Sequence, residues 1–145
     1  MNIEVRNTPL TFTVYGFSGA ASNKDYAGKA FQLMDKMWSI VKGQNLKNKG
    51  MNIWVYEPDH MVFAGVELEN ADGTSAGLQK KQVNLSKYAY YKHIGPYNLI
   101  KEAGSKMAEE LKKLGLETTL PYIEIYGHWG PDESKLETEL LMSIK

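Results

Sequence analysis

The sequence predicts an α+β fold in which two duplicated β-α-β-β halves form one antiparallel sheet with two helices on one face. Three observations lead there. The order strand, helix, strand, strand is written twice along the 145 residues. Each half carries one amphipathic stripe at helical spacing, followed by glycine. Tyr56 and Tyr126 end corresponding strands 70 positions apart, and Tyr15 and Tyr91 fall at comparable points of the opening strands. One domain over 1–145, with halves of approximately 1–70 and 78–145, fits this length.

Pro9 to Phe17 is rich in β-branched and aromatic residues and reads as a strand. Gly19 to Asn23 is small and polar and reads as a loop. From Lys24 to Val41 the residues Ala27, Ala30, Phe31, Met34, Met37, Trp38 and Val41 recur at helical spacing, and Gly43 with Gln44 to Gly50 stops that helix. Met51 to Tyr56 and Met61 to Leu68 flank the turn Glu57-Pro58-Asp59-His60 and form a hairpin. Glu69 to Gly77 is a loop by composition.

Val83 to His93 reads as one strand, broken by Gly95-Pro96. Proline suits a helix start, and Tyr97, Ile100, Ala103, Met107, Leu111 and Leu114 form one apolar stripe up to Gly115. Pro121 to Tyr126 and Leu136 to Ile144 are the last two strands, joined through Gly127 to Glu133. A sheet covered by two helices leaves a groove between them, so a central ligand cleft is expected there.

Composition removes several functions. Lys plus Arg equals Asp plus Glu, 17 against 17, which gives no electrostatic reason for a nucleic-acid or membrane partner. There is no cysteine, hence no disulfide, thiol nucleophile or thiolate metal site; a reducing, cytoplasmic setting is the expectation. The N-terminus has no long apolar run of the signal-peptide kind. Three scattered His give no metal-ligand spacing, and no GxSxG, HExxH or phosphate loop is present. Neither a metal nor a cofactor is expected. Nine Tyr, three Trp, four Phe and seven Met are available both to fill a core and to line an adaptable pocket.

The sharpest motif is Leu120-Pro121-Tyr122-Ile123-Glu124-Ile125-Tyr126. Strand side chains alternate, so Tyr122, Glu124 and Tyr126 share one face. In the first half Trp54 and Tyr56 occupy the corresponding places. On a solvated face Glu124 would be an ordinary surface acid. In an aromatic recess it must instead be protonated, hydrogen-bonded or paired with a cation. Tyrosine hydroxyls solvate it, and a large charge-delocalised cation pairs with it at little cost in hydration. Each ring face near such a cation adds roughly 0.5–2 kcal/mol. The candidate ligand-binding residues are Glu124, Tyr126, Trp54, Tyr56, Tyr91, Trp38 and Met34; Met34, Met37 and Trp38 are otherwise core.

A second motif is Tyr88-Ala89-Tyr90-Tyr91-Lys92-His93-Ile94-Gly95-Pro96-Tyr97. His93 at a strand end reads as fixing the turn by a hydrogen bond rather than as catalytic, and Gly95-Pro96 allows the tight entry into the helix. His60 and His128 are turn residues. Trp129 sits on a turn, over the pocket rim or capping the hairpin.

His93-Ile94-Gly95-Pro96-Tyr97 before a helix, then Pro121 to Tyr126, then an apolar C-terminal strand, resembles the GyrI-like family. This is the bacterial transcription-activator effector-binding domain of BmrR-type and Rob-type regulators. The resemblance covers essentially the whole chain. It implies a duplicated β-α-β-β fold with a central cleft and makes Glu124 the acid that meets cationic drugs, with aromatic residues around it. Regulator members carry a DNA-binding region ahead of this domain; none precedes it in this sequence, so a stand-alone member is expected.

Three functions follow. The first is binding of bulky aromatic, amphipathic, cationic small molecules for sequestration or sensing, with a separate regulatory protein as a further partner. The second is hydrolysis of reactive electrophilic aromatic compounds, with Glu124 activating water and Tyr91 donating a proton. The third is a protein-interaction role of gyrase-inhibitor type. A monomer and a homodimer fit the sequence equally.

Overall fold

A computed structural model of the chain describes residues 1–69 and 72–145. Its strands are β1 (Glu4–Arg6), β2 (Leu10–Ala20), β3 (Asn52–Glu57), β4 (Met61–Val66), β5 (Gln79–Leu85), β6 (Tyr88–Ile94), β7 (Thr118–Tyr126) and β8 (Glu137–Ile144). Its helices are α1 (Tyr26–Gly43) and α2 (Ile100–Lys113). All eight strands pair antiparallel in one sheet, in the order β1-β6-β8-β7-β3-β4-β2-β5.

The duplication is legible residue by residue. The buried stripe of α1 is Ala30, Leu33, Met37 and Val41; that of α2 is Ile100, Ala103, Met107 and Leu111, each 70 positions on. Both stripes follow the i, i+3, i+7 spacing of a helix laid on a sheet. Past each helix, Asn45 and Gly115 take the left-handed conformation, φ 51° and 74°. Asparagine and glycine are the residues that tolerate it there. Gly43, expected to stop α1, is instead its last helical residue.

β3 and β7 lie at the centre of the sheet, with Trp54 opposite Glu124. One row of facing residues runs from there across six strands: Phe17, Ala64, Trp54, Glu124, Leu140 and Tyr91. The row makes Phe17, not Tyr15, the counterpart of Tyr91. Alternation puts it on the face that carries both helices. There α1 packs with Tyr15, Phe17, Trp54, Val62 and Ala64, and α2 with Ala89, Leu140, Met142 and Ile144.

The opposite face carries no helix, yet Val14, Ile53, Val55, Phe63, Val83, Leu85, Tyr88, Ile123 and Leu141 are buried on it. Connectivity explains this. β5 ends one side of the sheet and β6 lies next to the other end, but only Ser86 and Lys87 join them. The sheet therefore curls until its two margins approach, and encloses a second core. The expected single strand from Val83 to His93 is thus two strands on opposite margins. β1 was not expected, and β2 runs on to Ala20, taking the first two residues of the expected loop Gly19 to Asn23, because β4 pairs with it there. Within the expected loop Glu69 to Gly77, Asn70 and Ala71 lie outside the described residues; Gly73–Ala76 forms a short 3-10 turn.

Curling brings β2 and β4 so close at Gly16 and Gly65, which face each other, that neither accepts a side chain. A methyl on Gly65 would run into the Tyr15 backbone. Gly65→Ala is expected to lower unfolding stability by about 2–3 kcal/mol or more in urea titration. Gly43→Ala, whose methyl meets nothing within 4 Å, is expected to leave stability unchanged or raise it by up to about 1 kcal/mol.

Candidate functional site

Glu124 occupies the middle of the central row, under the seam between the two helices. Tyr126 packs against the cores of both helices and marks that seam. The acid is 6% exposed. An isolated carboxylate in that position would cost several kcal/mol, and three phenols offset it. Tyr56 and Tyr126 donate to Oε1 at 2.8 and 2.7 Å, and Tyr122 donates to Oε2 at 2.9 Å. Tyr122 and Tyr126 reach it because they are two residues away on the same strand face. Tyr56 arrives from β3, opposite Tyr122, and the two rings stack at 5.4 Å.

A second tier of rings covers the first. Trp54 packs on Tyr126 at 4.8 Å between centroids. Phe31 of α1 stands edge-on to Trp54 at 5.1 Å, and Tyr26 edge-on to Tyr56 at 5.8 Å. Tyr97, from the turn leading into α2, stands edge-on to Tyr126 at 5.6 Å. Phe31 and Tyr97 are the outermost of these, 53% and 39% exposed. The expected cleft is therefore a seam lined and filled by aromatic side chains. Among the described residues no Lys, Arg or His forms an ion pair with Glu124. Among the described residues the seam thus holds a buried acid with hydrogen bonds and no ion-pair partner.

Tyr126, Tyr56 and Trp54 thus stand at the carboxylate. Met34 and Trp38 pack, half-buried, in the α1 core, and the Trp38 indole donates to Asn52 Oδ1 at 2.6 Å. Tyr91 lies two strands from Glu124 in the central row and is not among its hydrogen-bond partners. It packs against the α2 core and borders a surface hollow of about 460 Å³ beside Met1, Asn2 and Glu4. Both carboxylate oxygens accept from phenols, Oε1 from two and Oε2 from one.

Sequence reasoning left Tyr122 out of the candidate set although alternation places it beside Glu124. Phe31 and Tyr97 were missed because they read as helix-stripe residues, and Tyr26 because it lies off the stripe of its helix. His93 serves the turn, its Nε2 lying 3.2 Å from the Pro96 carbonyl, with Gly95 at φ 142°. Trp129 is 73% exposed. Among the described residues no group of three or more His, Asp or Glu is placed to hold a metal, and no helix is long and apolar enough to cross a membrane.

Residues 1–145 match the GyrI-like small molecule binding domain, and the chain belongs to that family. It is a small-molecule binding domain. Its fold is similar to that of SAV2435 bound to tetraphenylphosphonium, with a TM-score of 0.68, 15% identity, and coverage of 100% of this chain and 94% of that one. It is similar also to the C-terminal domain of EcmrR, at TM-score 0.73, 14% identity and coverage of 100% and 99%. A hydrolase from Listeria innocua shares the fold at TM-score 0.57, 11% identity and coverage of 99% and 91%. No curated protein matches the sequence.

Burial, and then the charge of Glu124, push the Tyr56, Tyr122 and Tyr126 hydroxyls well above the usual tyrosine value of 10.0. They remain donors across the physiological range. Their folded values exceed the unfolded one, so the stability they contribute is present below pH 10 and is lost as pH rises beyond it. Near-ultraviolet absorbance of phenolate should show these three tyrosines ionising only with alkaline unfolding. Tyr126→Phe, which leaves Glu124 one donor short, is expected to cost about 1–3 kcal/mol.

Proposed function

We propose that the seam binds bulky, aromatic, charge-delocalised cations, which pair with Glu124 and stack on the rings of Trp54, Tyr56, Tyr122 and Tyr126. The observation that carries this is a 6% exposed carboxylate with three phenol donors and no cationic partner among the described residues. Its charge is tolerated, because hydroxyls solvate it, but not neutralised. An alkylammonium or a metal ion would have to shed a tightly held hydration shell to enter. A phosphonium or dye cation with its charge spread under aromatic groups sheds little, and gains from ring faces and apolar contact.

The outer rings supply the way in. Phe31 and Tyr97 are half-exposed aromatics packed edge-on over the inner ones, and a guest that displaces them exchanges one aromatic contact for another. Such contacts constrain ligand shape weakly, so a range of cations should bind. That SAV2435 holds tetraphenylphosphonium on a similar fold supports this reading. Binding leaves the acid in place and consumes nothing. Sequestration and sensing are the roles it serves.

Tetraphenylphosphonium is expected to quench tryptophan fluorescence saturably, with a dissociation constant of about micromolar order. Glu124→Gln should weaken it by about tenfold or more, the loss of one desolvated charge pair. A neutral triphenyl compound should be nearly indifferent to that change. Absence of binding across phosphonium, rhodamine-type and acridinium-type cations would reject the reading.

A further inference from the structure

Trp54 is 5% exposed, and among the described residues its indole N–H has no hydrogen-bond partner. Buried donors are almost always paired. The other two tryptophans obey that rule: Trp38 donates to Asn52, and Trp129 is open to water. The orphan is not remote from function. Trp54 stands directly opposite Glu124 on the helix-covered face, between the rings of Phe31 and Tyr126. The Glu124 carboxylate opposite it takes three phenol hydroxyls and not this N–H. The other buried polar atom without a partner among the described residues, Thr138 Oγ, faces the same seam from β8, where Thr138 pairs with Tyr126.

The juxtaposition is a carboxylate that lacks a cation beside a donor that lacks an acceptor. We infer that Trp54 donates a hydrogen bond to an oxygen carried by the bound cation. The ligands this seam is built for are then aromatic cations that bear a carbonyl, ester or ether acceptor, rather than all-hydrocarbon cations of equal size and charge. This deepens the cation-binding reading of the same site and rests on it. A hydrocarbon guest leaves the indole N–H, already shut off from water, with nothing to accept its proton. A guest with a placed oxygen repairs that deficit. Sites that hold a buried donor discriminate strongly against analogues lacking the matching group.

The test uses two phosphonium salts that differ by one carbonyl oxygen, para-acetylbenzyl and para-ethylbenzyl triphenylphosphonium. The unsubstituted protein is expected to bind the acetyl compound about tenfold more tightly. Trp54→Phe should bring the two to the same affinity, the smaller ring weakening both salts alike and the loss of the donor weakening only the acetyl compound. Should Trp54→Phe fail to fold, the intact chain labelled at its three tryptophans gives the answer alone. The Trp54 indole proton resonance, assigned with Trp38→Phe and Trp129→Phe, should move downfield with the acetyl compound relative to the ethyl one. Equal affinities in the unsubstituted protein, or an indole resonance that does not distinguish the two salts, overturns the inference and leaves cation binding standing. If neither salt binds, the cation-binding reading falls and this one with it.

Discussion

A carboxylate taken out of water has to be held by something, and in this chain three tyrosine hydroxyls hold it. That constraint organises the centre of the molecule. Tyr122 and Tyr126 must lie two residues either side of Glu124, so β7 must be a regular strand there. Tyr56 must come from the neighbouring strand in the correct register, so β3 must pair with β7 with Trp54 opposite Glu124. Both strands must be central, since an edge would admit water. The burial that makes the acid expensive also keeps its three donors protonated, because desolvation and the nearby charge both raise their proton affinity.

The duplication supplies this arrangement and also breaks its symmetry. Trp54 and Glu124 occupy equivalent places, as do Tyr56 and Tyr126, and Asn52 and Tyr122. The first half contributes an indole where the second contributes an acid. At the third pair, Asn52 is occupied with the Trp38 indole while Tyr122 turns to the carboxylate. One surface of repeated geometry thus presents a negative end and an aromatic, hydrogen-bond-donating end.

Much of this was legible in the residues. The alternation of Tyr122, Glu124 and Tyr126 with Ile123 and Ile125 put an acid between two phenols before any coordinates. The helical stripes placed Ala30, Met37 and Val41, and Ile100, Ala103, Met107 and Leu111, against the sheet. What was illegible depended on distant pairing. The split at Ser86-Lys87 carries no glycine or proline. Its one trace is a slip in phase, since Val83 and Leu85 and then Tyr88 all face the same core. β1 is three residues long and exists because β6 offers it an edge. Phe31 belongs to the apolar set of α1 by spacing, yet it is half-exposed because it rests on Trp54, a neighbour that no local pattern reveals.

The margins of the sheet are exchanged between the halves. β1, from the first half, pairs with β6 of the second; β5, from the second, pairs with β2 of the first. Each half is clasped by a strand of the other, and the central β3–β7 ladder ties them a third time. A clamshell motion of one half against the other would tear three ladders at once. The three ladders oppose any such opening, so rotation of the covering rings is the way into the seam that breaks none of them.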